Sequence, residues 1–334
     1  MSMTLIGITS PTVANAIAAS GGRLAGVETR AVEAAGLAAL LFRSKEPSWQ
    51  FLRRSRTALE SMVRAQRILE AAAAFGPLLP ARPGSLIKDD VEACTLLCGQ
   101  WRRLAESLRL HGNTTQFQVP ITWNPMSALA ARRDHPDLAA AAAAGARGAA
   151  KEAGHLISRF MSDERAAFEA RAMRALTVVG KDVIALPVDE ADMLINAAVL
   201  LARGAEPDLE RALEELDGSL PGENLIRLIG PLPPVSFAAV SIERPSRDRV
   251  AAARHLLGVV EATEQHDLRR AYLDIAREHH PDAGAHAAGA HAVGAAAEAF
   301  RLLARIAEAR LCSEQGDVLL VDILRQDQHR SFST

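Results

Sequence analysis

Apolar and polar positions change period several times along this chain. Leu5, Ile6 and Ile8 make a run of strand length. Ser10 before Pro11 offers an N-cap followed by a proline at the first helical position, which predicts a helix to about Ala19. Gly21 and Gly22 turn the chain into a strand-like stretch from Leu24 to Thr29. A second apolar run spans Gly36 to Phe42 and stops at Arg43-Ser44. From about Trp49 to Phe75 the spacing is helical, with Leu59, Met62, Val63, Ile68 and Leu69 between arginines and glutamates, and Gly76-Pro77 ends it. Leu78 and Leu79 form a short apolar pair. Asp89 and Asp90 then open one helix to about Leu110, with Val91, Leu96, Leu97, Trp101, Leu104 and Leu108 as its expected apolar face.

The second part repeats this plan. Thr115 to Trp123 reads as a strand with Phe117, Val119, Ile121 and Trp123 on one face, and Pro120 suggests an edge position. A helical turn covers Met126 to about Ala131. Beyond Pro136 an alanine-rich helix is expected to about Ala172, with Gly145 and Gly148 weakening its first third, where disorder is expected. Leu176–Val179 and Val183–Leu186 around Gly180-Lys181 read as a hairpin. Periodicity alone leaves Met193 to Leu201 open between strand and buried helix. The strand reading closes the order β-α-β-β-α-β, with a helix over Asp208–Leu216 and a last strand over Leu225–Ile229. The expected fold class is therefore α+β, with two ferredoxin-like lobes, 1–112 and 113–243.

Gly230 to Phe237 reads Gly-Pro-Leu-Pro-Pro-Val-Ser-Phe. Its prolines fix φ and remove donors, so neither helix nor central strand runs through it, and by itself it is a rigid turn ending a strand. Residues 244–249 are polar, and 244–250 reads as a linker. A helical module, 251–312, follows: Thr263 is a candidate N-cap for a helix from Glu264 to His279, with Leu268, Ala271, Tyr272 and Ile275 in one stripe. A further helix is expected over about Ala295–Leu311, with Phe300, Leu303 and Ile306 as its face. The tail, 313–334, holds an apolar stretch from Asp317 to Leu324 suited to a strand or short helix.

Composition narrows the function. The 334 residues carry 38 Lys+Arg against 40 Asp+Glu, without a sustained basic block, which argues against nucleic acid or an anionic membrane as partner. No apolar run approaches the ~18 residues of a membrane span, and the first residues lack a signal-peptide pattern. Cys94 and Cys98 have no second pair at metal spacing and read as small buried apolar groups in a reducing cytosol. His279, His280, His286 and His291 lack a rigid frame for a metal. Phosphate loop, serine elbow and framed carboxylate pair are all missing, so neither enzyme nor cofactor is expected.

The octet resembles the Gly-Pro-Leu/Trp-Pro-Pro-Tyr-Ser-Phe signature of the GvpL/GvpF family of gas vesicle proteins, with Val235 in place of the tyrosine. Its signature positions here are Gly230, Pro231, Pro233, Pro234, Ser236 and Phe237. Leu78 to Gly84 is similar to the family's Val-Leu-Pro-x-Arg-Phe-Gly-Thr through Leu79, Pro80, Arg82 and Gly84, with Pro83 for phenylalanine. The histidine that the family carries in the preceding helix falls near Ala65. Leu37 to Ser44 resembles the family's Leu-Ala-Ala-Leu-Val-Ser with Phe42-Arg43 inserted. Trp123-Asn124-Pro125 is similar to Trp-Asp-Pro, and Met193 to Leu201, with Asn196, to Met-Val-Leu-Asn-x-Ala-Phe-Leu-Val. The resemblance covers about residues 4–243.

Leu257-Gly258-Val259, Leu268-Arg269-Arg270-Ala271-Tyr272, His280-Pro281-Asp282 and Phe300 together resemble the J-domain of DnaJ-type co-chaperones. His135-Pro136-Asp137 repeats the tripeptide without that context and reads as a turn. The resemblance implies a chaperone-docking loop at His280, Pro281 and Asp282 and a docking helix face at Arg269, Arg270 and Arg277, diluted by Asp267, Asp274 and Glu278. Jointly the two resemblances imply a cytoplasmic, vesicle-associated accessory or minor structural protein of gas vesicle assembly. Its implied partners are the hydrophobic shell protein, other gas vesicle proteins and a DnaK-type chaperone, with the first lobe as the favoured binding surface. The alternative is a general J-domain co-chaperone whose α+β region binds another client. A third reading, an enzyme, requires a deep polar pocket with convergent ionisable groups.

Overall fold

The computed structural model describes residues 3–43, 56–188, 192–220, 222–260, 264–279, 287–310 and 319–326. Strand β1 (Met3–Thr9) leads into helix α1 (Pro11–Ala19), whose cap is Ser10: its Oγ accepts from Val13 N at 3.3 Å. The stretch expected as one strand from Leu24 is a hairpin of β2 (Arg23–Leu24) and β3 (Val27–Ala34), turned at Ala25 (φ 46°) and Gly26 (φ 80°). Ala35 (φ 51°) and Gly36 (φ 76°) turn the chain again into β4 (Leu37–Arg43). In both turns the two central residues have positive φ, the geometry whose twist matches paired antiparallel strands.

Helix α2 (Arg56–Ala73) is followed by the short strands β5 (Leu78–Pro80) and β6 (Leu86–Ile87). Its expected start near Trp49 lies outside the described residues. In place of one helix from Asp89 to Leu110 there are two, α3 (Asp90–Gly99) and α4 (Trp101–His111), broken after Gly99, a poor helix residue. Asp89 caps the first, accepting from Glu92 N at 2.9 Å. Val91 and Trp101, expected on a buried face, are 75% and 46% exposed; α3 buries Ala93, Leu96 and Leu97 instead, a face that Val91 does not share.

Strand β7 (Thr114–Trp123) is central, not an edge strand as Pro120 suggested: it pairs with β9 (Met193–Ala202) on one side and with β10 (Asn224–Ile226) and β11 (Ile229–Leu232) on the other. Pro120 faces Asn196, whose carbonyl is taken by Leu186 N at 2.7 Å, so the ring nitrogen does not point at β9. It points at the gap between β10 and β11, where no ladder donor is required. The expected last strand, Leu225–Ile229, is thus split into those two short strands.

Between β7 and β9 come α5 (Pro125–Ala131), α6 (Pro136–Ala146), α7 (Ala150–Val179) and β8 (Asp182–Ala185). The single alanine-rich helix is therefore an ordered pair, turned at Gly148 (φ 78°). The ion pair Arg159–Asp137 (3.7 Å) and the ring contact of the α6 cap His135 with Phe160 (4.8 Å) hold the two antiparallel, and Arg132 at the end of α5 pairs with Glu164 of α7 (3.5 Å). Leu176–Val179 is not a strand but the last turn of α7. Phe168, Ala172 and Leu176 recur at helical spacing and are buried together, and Gly180 stops the helix instead of turning a hairpin.

The remaining elements are α8 (Glu206–Asp217), β12 (Ala239–Glu243), α9 (Arg247–Leu257), α10 (Gln265–Glu278), α11 (Ala287–Arg310) and β13 (Leu320–Leu324). Helix α9 starts inside the stretch that reads as linker, with Ser246 as its cap. Glu264 occupies the cap position of α10. The candidate cap Thr263, the tripeptide at 280–282, His286 and the start of the tail's apolar stretch at Asp317 lie outside the described residues. The apolar part of the tail is a strand, β13, paired with β12.

The chain divides into two compact units. The first gathers the described residues of Met1–Ile68, Ala81–Glu106 and Val240–Ile323. Its sheet runs β2-β3-β4-β1, with β6 on the start of β1. Helices α1 and α3 bury Val13, Ile17, Ala93, Leu96 and Leu97. In the same unit, α9, α10 and α11 enclose a small core of Leu257, Leu268, Ala299, Leu302, Leu303 and Ile306, with Tyr272 stacked on Phe300 at 5.4 Å.

The second unit gathers the described residues of Leu69–Pro80, Ser107–Ala239 and Leu324–Thr334. Its sheet runs β10-β7-β9-β8. Numbered within the lobe that is the order 4-1-3-2 of the ferredoxin-like arrangement, as β-α-β-β-α-β requires. Phe117, Val119, Ile121 and Trp123 of β7 face α7 and α8, as their alternation predicts. On the opposite face Ile184, Ala198 and Leu200 pack with Phe237.

Candidate functional site

The octet is tied into the second unit by backbone and side chains together, its Leu232 pairing with Gln116 of β7. Gly230 passes so close to β7 that a β-carbon there would stand 2.5 Å from Phe117 Cδ1 and 3.0 Å from Gln116 O, so only glycine fits. The Gly230–Pro231 peptide bond is cis. Ser236 N donates to Gln116 Oε1 at 2.9 Å and Gln116 Nε2 donates to Ser236 Oγ at 3.0 Å, a reciprocal pair between buried residues. Ser236 O in turn accepts from Gln326 N at 2.8 Å.

Phe237 is covered by Arg325, whose guanidinium lies 5.6 Å from the ring centroid. Arg325 also holds Asp182 with both terminal nitrogens, one of them at 3.1 Å. That hydrogen bond is the chief reason the Asp182 carboxyl is held below its ordinary range; partial burial opposes it. His111 belongs to the same cluster. Burial first, and Arg325 and Lys181 after it, push its imidazole below the usual histidine value against the pull of Asp182. Its Nδ1 is buried without a hydrogen-bond partner among the described residues.

Next to the octet the second unit holds an open cavity of about 640 Å3. Ala74, Leu78, Pro231 and Pro233 are among its apolar walls, and Arg203 and Glu206 among its polar lining. Arg203 Nη2 donates to Ala73 O at 2.8 Å, which fixes the guanidinium at the wall. From the cavity an exposed apolar strip runs along β11 and β10: Ile229 is 43% exposed, Leu228 36% and Leu225 53%. The sequence reading missed the cavity, because Arg203 and Glu206 flank an ordinary Gly-Ala turn with no motif around them. The strip was legible only as the apolar run before the prolines.

The other signature positions lie in strands and turns of the fold. Leu79 is fully buried in β5, beside Pro80. Arg82 to Ser85 form a turn with Pro83 and Gly84 (φ 86°) at its centre, where Ser85 N reaches Arg82 O at 3.1 Å and Arg82 N reaches Val240 O at 2.7 Å. A proline followed by a positive-φ glycine suits that turn, so Pro83 is accommodated where the family pattern has phenylalanine. Trp123 is buried in the second core. Asn196 accepts from Gln118 Nε2 and donates to Pro187 O, both at 2.9 Å.

Arg269, Arg270 and Arg277 are exposed on α10. Arg270 and Arg277 lie nearly in line, two turns apart, while Arg269 points about 100° away. Asp267 stands 3.9 Å from Arg270 and Asp274 3.2 Å from Arg277. His280, Pro281 and Asp282 lie outside the described residues. Among the described residues no group of His, Cys, Asp and Glu forms a metal site, and no helix is long and apolar enough to cross a membrane.

The fold has solved counterparts. The gas vesicle protein GvpF from Anabaena sp. PCC7120 is 23% identical, with a TM-score of 0.52 over 70% of this chain and 94% of that one. GvpF from Microcystis aeruginosa is 21% identical, with a TM-score of 0.53 over 71% of this chain and 98% of that one. No curated protein matches the chain. The sequence model of the family described as "Gas vesicle synthesis protein GvpL/GvpF" matches residues 5–239, from β1 to the start of β12. That span takes in the strands of the β2-β3-β4-β1 sheet, the ferredoxin-like sheet of the second unit and the octet that closes it, so the chain belongs to the GvpL/GvpF family of gas vesicle synthesis proteins.

Proposed function

We propose that this chain is an accessory, minor structural protein of gas vesicle assembly that binds the hydrophobic shell protein. The observation that carries the reading is the family match over residues 5–239; the signature octet within that span is tied to β7 through Ser236 and Gln116 and covered at Phe237 by Arg325. A shell made of a strongly apolar subunit needs a partner that covers that subunit before it joins the wall, because exposed apolar surface drives aggregation. The protein acts by binding, without catalysis or cofactor, in the cytoplasm at the growing vesicle, alongside other gas vesicle proteins.

The helical module of α9, α10 and α11 adds a second task to this proposal. It recruits a DnaK-type chaperone through the loop His280-Pro281-Asp282 and the α10 arginines Arg270 and Arg277, with Arg269 at the margin. The exposure of those arginines and the module's own core support it. That the module lies beyond the family match favours one alternative, a general co-chaperone whose α+β region binds another client.

The full chain, immobilised and offered the shell protein and a control apolar peptide, is expected to retain the shell protein alone. Equal retention of both, or of neither, sinks the shell reading and leaves the general co-chaperone. For the chaperone task, the chain is expected to raise the ATPase rate of a DnaK-type chaperone, and His280→Gln to abolish the increase. An unstimulated ATPase overturns that part.

A further inference from the structure

We infer that the β10–β11 edge of the second sheet, with the cavity at its end, takes up an extended aliphatic segment of the partner that bears a carboxylate opposite Arg227. The inference rests on the shell-protein reading above only for the partner's identity.

β10 and β11 form the outer edge of their sheet, since their pairing to β7 uses one side only. Residues 224–232 give an edge roughly 30 Å long at ~3.3 Å per residue, long enough for an added strand. The register puts Leu225 opposite Thr122 and Ile229 opposite Gln118, on the face away from α7 and α8, whereas Ile226 opposite Ile121 turns into the core. The edge therefore offers two leucines and an isoleucine that its own lobe leaves exposed, and Ile229 continues them into the cavity wall.

Charge selects the occupant. Arg227 interrupts the strip. Its backbone N–H is spent on Pro120 O at 3.1 Å, while its exposed guanidinium has no ion-pair partner among the described residues. An exposed apolar edge with one unpaired cation is complementary to a strand of aliphatic residues carrying one acid. It repels the same strand carrying a base.

Surface charge on an edge also serves to keep copies apart, and that is the rival explanation of Arg227. The full chain is titrated with a fluorescent nine-residue peptide of alternating valine and threonine with a central aspartate, and with its central-lysine counterpart. The same variants are tested for capture of the shell protein. Arg227→Glu is expected to weaken the aspartate peptide about tenfold and to favour the lysine peptide, and Ile229→Asp to abolish both. Shell capture should fall in step. All the altered side chains are exposed, and unchanged melting curves establish that the variants fold.

Shell capture that is unaffected by either variant overturns the edge inference and leaves shell binding intact. Loss of shell capture by the wild type, with charge-swapped peptide binding retained, overturns the shell reading and leaves the edge inference standing. Variants that merely self-associate, with peptide affinity unchanged, make Arg227 a guard of the edge and overturn the inference.

Discussion

Ala25 and Ala35 occupy backbone positions that alanine normally avoids. Each opens a two-residue hairpin turn with φ of 46° or 51°, where a β-carbon crowds the following carbonyl at a cost of about 1 kcal/mol. Asparagine or glycine is the usual occupant, and the lack of either hides these hairpins from a reading of the residues. Ala35→Gly should therefore stabilise the first unit by roughly 0.5–1 kcal/mol net, since the relief of strain exceeds glycine's greater freedom when unfolded. A urea titration checks it, and a lower midpoint would show that the turn is not strained. The opposite case is Gly230, where a missing side chain is what allows the octet to reach Phe117 and Gln116. Its role was legible as punctuation, but the neighbour that demands it lies in another strand.

At the level of elements, the octet and β7 are joined by one buried reciprocal pair, Gln116 with Ser236. Gln116→Leu should cost about 1–3 kcal/mol, because it leaves both the Ser236 N–H and its hydroxyl without their buried partner, and Ser236→Ala about 1 kcal/mol, because the backbone N–H still reaches Gln116 Oε1 and only Gln116 Nε2 loses its acceptor. The double variant should cost less than the sum, and a double-mutant cycle by denaturant unfolding measures the difference. Additive losses would mean that the two side chains do not depend on each other. The same scale explains which elements could be read ahead of the structure. α1 was legible because cap, period and length agreed, α10 through its apolar stripe, and β9 only because a strand there closes the order of the lobe. Pro120 misled because the tolerance of proline depends on where β10 ends and β11 begins, which is a property of a neighbouring strand. Leu176–Val179 misled because a short apolar run reads alike in helix and strand, and only its phase with Phe168 and Ala172 decides. The cavity was not legible at all, since its walls come from segments far apart in the chain.

At the scale of the molecule, acid should loosen the second unit in two stages. The His111 imidazole titrates below its ordinary value of 6.5 when folded, so on acidification the unfolded chain binds its proton first, and stability falls as pH drops below that value. Asp182, held below its ordinary 3.8, contributes stability that is fully present above that value and is lost as pH falls through the lower folded one. Melting temperature should decline from about pH 7 to pH 5 in the native chain. His111→Gln should flatten that limb and leave the steeper loss below about pH 4. An unchanged upper limb in the variant would remove His111 from the account. The clamp on Asp182 also has an order in time. Arg325 is made 143 residues after the aspartate it holds. At about 5–20 residues per second the ribosome needs roughly 7–30 s to deliver it. Throughout that interval Asp182 waits without its cation, and the ring of Phe237 does so from its own synthesis onward, so the nascent second lobe stays unlatched until its last strap arrives.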